Sequence, residues 1–236
     1  ARYTPDAYVG SGPTQTNAAI VGLLRSGLLK RFESSVYAFA MTAHRMVEQH
    51  DLFLRALDEG KVIRKELMAE LSELDDEEAL RSVLQETGIA EPAEQYDVET
   101  LRRDVESDRE LLEQMRRQAD SVTRDDDPKL AALIEELGRI VQQAEDEAAD
   151  EDDARQKRKV MIFSFYGDTV DWLSGYLDRA LEGDEQLRCY AGRMAAVTGA
   201  DSYDGVSREE AVFGFAPKSA GAPPGRQEDR FDLLLY

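Results

Sequence analysis

Apolar residues in the first quarter of the chain recur every seventh position. Leu29, Val36, Ala43, His50 and Leu57 form one row, and Phe32, Phe39, Met46 and Phe53 form another, three places later. Two such rows over several heptads are the seam of a long helix, expected from about Gln15 to Leu57. Gly22 and Gly27 weaken its first turns, and Gly60 ends it. Ahead of it, residues 1–13 carry Pro5, Gly10, Gly12 and Pro13 and read as an extended lead-in. Leu67, Leu71 and Leu74, then Leu80, Val83 and Leu84, predict two shorter helices stopped near Gly88, with Pro92 in a loop. Asp97 is placed to cap another long helix, in which Leu101, Val105, Leu112, Met115, Ala119 and Val122 keep coiled-coil spacing. Asp125-Asp126-Asp127-Pro128 then opens a further helix, with Pro at its first position.

The pattern changes at Lys159. Val160-Met161-Ile162-Phe163 is a short apolar run closed by Gly167 and Asp168, the signature of a strand buried on both faces. Val170, Leu173 and Leu177 resume helical spacing, and Asp168 is the expected N-cap. Arg193–Gly199 reads as a second short strand. Ser207 with Glu210 has capping-box spacing for the next helix. Ala216–Arg230 is a loop rich in Pro and Gly, and Phe231–Tyr236 is a third strand. Strands alternating with helices predict one parallel sheet holding Lys159–Phe165, Ala195–Thr198 and Phe231–Tyr236. No solenoid-type repeat is present.

Charge changes the picture by where it lies. The 236 residues carry a net charge of −20. Residues 61–154 hold 12 basic and 30 acidic residues, −18 of that total, so the two ends are nearly neutral. The single cysteine, Cys189, forms no internal disulfide, which fits a reducing, cytoplasmic setting. No apolar stretch is long enough for a membrane span.

Few residues qualify for chemistry. A phosphate-binding loop is absent, because Gly60-Lys61 lacks the upstream glycine and the hydroxyl residue. Asp58-Glu59 and Asp75-Asp76-Glu77-Glu78 lie in exposed helical sequence and read as solvated surface rather than a magnesium site. His44 and His50 are six apart, the wrong spacing for a shared metal, and His50 reads as a core histidine. Cys189 has no histidine beside it in sequence and reads as structural. Trp172 reads as packing, and Glu145–Asp153 as a frayed helix end or linker. Lys157, Arg158 and Lys159 suit either a phosphate or charge compensation at a helix end. Ser164, Phe165 and Tyr166 stand at a strand's carboxyl end, where a hydroxyl and a backbone N–H can meet a phosphate. Thr198 and Gly199 close the next strand, and Gly199 permits close approach of a ligand.

The stretch Lys159–Val170 with Trp172, Leu173 and Leu177 resembles the opening of the second RecA-like lobe of superfamily-two helicases, within them the double-stranded-DNA translocases that include chromatin remodellers and their bacterial relatives. Asp127-Pro128-Lys129-Leu130, followed by Leu133, Ile134 and Leu137, resembles the helix that precedes that strand in the family. Leu28–Ser35 with Val36, Ala38 and Phe39 resembles the helical stretch joining the two motor lobes. The two matches cover roughly half the chain and leave about 60–125 unsupported. Relatives usually carry a glutamine or acidic residue near Phe165, a departure here.

The resemblance implies an α/β fold, an incomplete RecA-like parallel sheet with a large helical, partly coiled-coil insertion. Residues 1–60 would be the inter-lobe linker and long helix, 61–126 the acidic helical insertion, and 127–236 the second lobe, truncated at its end. It also implies part of a nucleic-acid-dependent ATPase, a helicase or duplex translocase, using ATP and magnesium in the full protein. Ser164, Phe165, Tyr166, Thr198 and Gly199 would contact the nucleic acid, DNA duplex rather than RNA. No residue is assigned to catalysis, cofactor or metal. The insertion would meet a protein partner. The alternative is a non-enzymatic helical, coiled-coil interaction protein with a structural α/β end. On either reading this piece alone hydrolyses no ATP.

Overall fold

The computed structural model describes residues 1–9, 15–63, 90–198, 202–203 and 205–236. They form two compact units, Ala1–Ser121 and Val122–Tyr236. The paired apolar runs Leu67–Leu74 and Leu80–Leu84 lie outside the described residues.

In the first unit the expected single helix is two: α1 (Gln15–Ser34) and α2 (Val36–Asp58). Ser35 breaks the run. Its backbone is extended, and its hydroxyl accepts the Ala38 N–H at 3.0 Å, starting a new helix while the heptad rows continue across the junction. Leu29 and Phe32, the seam residues before the break, are each 53% exposed. After it, Ala43, His50, Phe53 and Leu57 are buried as the spacing requires. Gly60, at φ +75, ends the segment in the left-handed region that glycine adopts without strain.

The stretch from Lys61 departs from the helical expectation. Here β1 (Lys61–Ile63) pairs antiparallel with β2 (Ala90–Pro92), Lys61 opposite Pro92, so Pro92 ends a strand rather than lying in a loop. Val62 and Ile63 supply the apolar side of this short pair and join Leu52, Phe53, Ala56 and Leu57 in one core. Asp97 caps α3 (Val98–Asp120) by accepting the Thr100 N–H, and Leu101 and Val105 complete that core. Asp58 pairs with Arg102 at 2.6 Å, and Asp51 pairs with Arg109. A step of seven back along α2 matches a step of seven forward along α3, so the two helices run antiparallel with heptad spacing.

The second unit opens on α4 (Pro128–Glu147), whose cap Asp127 accepts the Lys129 N–H at 2.9 Å. Asp127 is buried, and its second oxygen accepts the Trp172 indole N–H at 2.9 Å, while the Arg124 guanidinium lies 4.8 Å over that ring. Trp172, half-buried, thus ties the start of α4 to α6 (Gly167–Gly183) through a hydrogen bond and a cation contact rather than through the core packing expected. The acidic run holds the end of α4 and a largely exposed link at 148–150, as the linker reading expected. After Glu147 it forms α5 (Glu151–Lys157), capped by Asp150.

Three strands form a parallel sheet: β3 (Val160–Ile162), β4 (Met194–Ala196) and β7 (Leu233–Leu235), with β7 between the other two. This matches the expected parallel sheet. A two-residue pair, β5 (Ser202–Tyr203) and β6 (Val206–Ser207), precedes α7 (Arg208–Phe215), whose Ser207–Glu210 capping box forms as the spacing predicted. One sheet face packs Ile162, Leu235 and Ala196 against Leu137, Val170 and Leu177 of α4 and α6. The other packs Ala195, Val197 and Leu234 against Ala211 and Phe215 of α7. Helices therefore lie on both faces of β4 and β7, whose apolar runs follow from that, while Met161 of β3 stays exposed on the α7 side. Among the described residues no helix is long and apolar enough to cross a membrane.

Gly214 is fixed by space. A Cβ there would lie 2.6 Å from the Phe231 ring, and the Gly214 carbonyl accepts the Arg230 and Phe231 N–H groups at 2.7 and 2.9 Å. Gly214→Ala forces Phe231 off its core position and lowers unfolding stability by roughly 1–2 kcal/mol, read by urea melting. An unchanged midpoint would show that the ring yields freely.

Candidate nucleic-acid interface

The strands' carboxyl ends meet at one edge. β3 is followed by α6 on one face and β4 by α7 on the other, so this edge opens where successive crossovers diverge, the place where open α/β sheets bind ligands. The Ser164 N–H donates to the Tyr236 carbonyl at 2.7 Å, extending the β3–β7 ladder by one bond. That N–H is therefore engaged in the sheet and is not offered to a ligand. The Ser164 hydroxyl accepts the Tyr166 N–H at 3.2 Å and donates to the Tyr166 carbonyl at 3.1 Å. It closes the turn that starts α6. The cap position of α6 is Tyr166, not Asp168, which lies within the first turn, where its charge suits the helix N-terminus.

Thr198 stands at the same edge: a Cβ built on Gly167 would be 3.9 Å from the Thr198 Cβ. The structure thus brings Ser164, Phe165, Tyr166 and Thr198 together across two strands distant in sequence. Gly199 lies outside the described residues. Phe165 is 91% exposed and meets the Tyr166 ring edge to face, centroids 5.1 Å apart. Two residues that the sequence did not mark as site candidates also belong here. Tyr236 packs edge to face on Phe163 at 5.8 Å, and the Arg208 guanidinium lies 4.8 Å from the Tyr236 ring. Arg208 was hidden because a lone Arg after a capping serine looks like an ordinary helix start.

The strands' amino ends carry a different cluster. Asp232, fully buried, accepts from Arg155 Nε at 3.0 Å and from Arg193 Nε and Nη2 at 2.8 and 3.2 Å, with Arg158 Nη2 at 3.6 Å. Asp229 meets Lys159 Nζ at 2.6 Å, Arg155 at 2.9 Å and Gln156 at 2.8 Å. Burial raises the Asp229 pKa, but the hydrogen bonds from Lys159, Gln156 and Arg155 outweigh it and hold the carboxyl below its usual range. Lys157 pairs with Asp153 and donates to the Glu147 carbonyl at the end of α4. The basic cluster before β3 is thus committed to helix ends and to two carboxylates rather than to a phosphate. The sequence held the signal, since Lys159, Arg193 and Asp232 each directly precede a strand.

The remaining candidates stay structural. His44 is exposed and pairs with Glu48 at 3.4 Å, whereas His50 is buried. Burial pushes the Cys189 thiol up, away from a reactive thiolate. Asp58 is held by Arg102, and Asp75–Glu78 lie outside the described residues. Among the described residues no group of three or more His, Cys, Asp or Glu is placed to hold a metal ion. A groove of about 560 Å³ between α4 and the Asp184–Leu187 turn gathers Glu135, Asp146, Glu147 and Asp184, with Arg139 its only cation; it lies apart from the carboxyl edge. No family model, curated protein or solved structure matches this chain.

Proposed function

We propose that this chain is part of a nucleic-acid-dependent ATPase, a helicase or duplex-DNA translocase, and that its second unit grips the nucleic acid at the carboxyl edge of the parallel sheet. The observation that carries the reading is the convergence of Ser164 and Thr198 on one edge, each at the end of its own strand, with exposed rings beside them. The resemblance of Lys159–Leu177 to the second lobe of such motors supplies the chemistry. ATP and magnesium belong to the full protein. The residues present do not fit either: the sequence has no phosphate-binding loop, and Asp58 of the described acidic pair is held by Arg102. This piece contributes backbone grip and no hydrolysis.

Ser164→Asp tests the reading while keeping one of the turn's two hydrogen bonds, the donation to the Tyr166 carbonyl being lost. An aspartate at this position still accepts the N–H two residues on, as Ser164 does for Tyr166, while adding a negative charge. Against a phosphate that charge weakens duplex binding about tenfold, and nucleic-acid-stimulated turnover of the full protein falls with it. Turnover lost with affinity intact would place Ser164 at the nucleotide instead. A lowered melting temperature with both lost would make Ser164 a purely structural turn residue. The alternative, a non-enzymatic helical interaction protein, draws its support from Leu29 and Phe32 exposed on α1.

A further inference from the structure

Among the described residues of the second unit, the exposed large apolar side chains lie on β3 and the segment just after it. Met161 of β3 is 40% exposed, Phe163 just past its end 70%, and Phe165, in the turn before α6, 91%. Alternation puts Met161 and Phe163 on the sheet face opposite Val160 and Ile162, which pack toward α4 and α6. That second face is covered by α7 over β4 and β7, through Ala195, Val197 and Leu234. Its β3 portion is bare. Burying a phenylalanine is worth about 1.5–3 kcal/mol, so two exposed phenylalanines two positions apart mark a surface kept for contact.

The neighbours of these rings identify the contact. Phe163 packs on Tyr236, the Arg208 guanidinium sits over Tyr236, and Phe165 packs on Tyr166. Two ring pairs near one strand end, one of them carrying a cation, match a ligand that alternates flat π faces with negative charges. A purely apolar protein segment would leave Arg208 without an anionic counterpart. In a duplex the base faces are stacked on one another, and only an unpaired base presents a face to a protein ring. Resting on the nucleic-acid reading of this edge, we infer that it takes an unpaired stretch of nucleic acid, with Phe163 and Phe165 stacking on bases and Arg208 meeting a backbone phosphate. The site then favours a single strand or a fork over continuous duplex.

Fluorescence anisotropy with the whole chain decides it, using a labelled oligothymidylate of about 15 nucleotides and a hairpin duplex of the same length. The wild-type chain binds the single strand about tenfold more tightly than the duplex. Phe163→Ala and Phe165→Ala each weaken the single strand about tenfold and change the duplex less than about twofold. Phenylalanine to tryptophan at either position retains binding. Leucine, which keeps apolar bulk without a π face, loses it, and carries the test where alanine lowers the melting temperature. Arg208→Gln lowers the salt slope of single-strand binding by about one. Leucine variants that bind like wild type overturn the inference, as does equal loss on both probes. Ser164→Asp weakening both probes while the phenylalanine variants stay neutral sinks this inference alone and leaves the grip intact. A wild-type chain that binds neither probe sinks both.

Discussion

Asp232→Ala lowers the unfolding free energy of the second unit by about 3–5 kcal/mol, the usual cost of removing one partner from a buried ion pair. The loss comes less from forfeited attraction than from what remains. Arg155 and Arg193, with side chains 24% and 30% exposed, would face a cavity in place of a carboxylate, beside a third cation, Arg158. Asp229 cannot serve both sets, because its own oxygens already meet Lys159, Arg155 and Gln156. Trp172 is the only tryptophan and lies in the same unit, so its fluorescence in urea reports this transition. Combining Asp232→Ala with Arg193→Ala then costs less than the sum of the two, because the double variant leaves fewer charges uncompensated. A change below about 1 kcal/mol for Asp232→Ala would show that water enters and solvates the arginines.

The same network shows where the sequence was readable. Three parallel strands could be read because an apolar run flanked by turn residues has few other fates in a chain that alternates with helices. Their order could not. Leu233–Leu235 is apolar at every position because β7 is central, yet Val160-Met161-Ile162 reads alike, and β3 is an edge with Met161 exposed. Composition cannot tell a strand covered on both faces from an edge strand holding a surface for contact. The ion pairs join residues 39 to 77 positions apart, Arg193 with Asp232 and Arg155 with Asp232 at the extremes, beyond any local pattern.

Local rules failed in two other places for definable reasons. The heptad rows run unbroken through Ser35, so the break rests on a single capping hydroxyl against a continuous periodic signal. The β1–β2 pair is three residues long, with partners about thirty positions apart, and its stability comes from Val62 and Ile63 entering the core. At the candidate site, Ser164 and Thr198 were legible as strand ends. What Ser164 bonds was not, because the Tyr166 backbone competes for the same hydroxyl only once the turn has formed.

Acidification from pH 7 to 4.5 removes up to about 3 kcal/mol of stability from the first unit through His50 alone. His50 is 1% exposed on the α2 seam, and its Nδ1–H donates to the Met46 carbonyl at 2.6 Å. That fixes the neutral tautomer with Nε2 unprotonated. Nε2 is buried without a hydrogen-bond partner among the described residues, so a proton added there would be a buried, unsatisfied charge. Burial pushes the pKa down to about 4 from 6.5; the Met46 carbonyl and Asp108 pull it up, and Arg2 pushes it further down. The unfolded chain binds the proton near 6.5 and the folded chain only near 4. Stability is therefore complete above about 6.5, falls as pH drops between the two values, and is lost in full below 4. His50→Gln removes the titration, so subtracting its pH profile from that of the wild type cancels the carboxylates common to both. Urea melts followed by ellipticity at about pH 7, 6, 5 and 4.5 should give a difference that is flat at the top and declines by about 1.4 kcal/mol per unit below 6. A flat difference throughout would mean that the imidazole reaches water and that the α2–α3 seam opens around it.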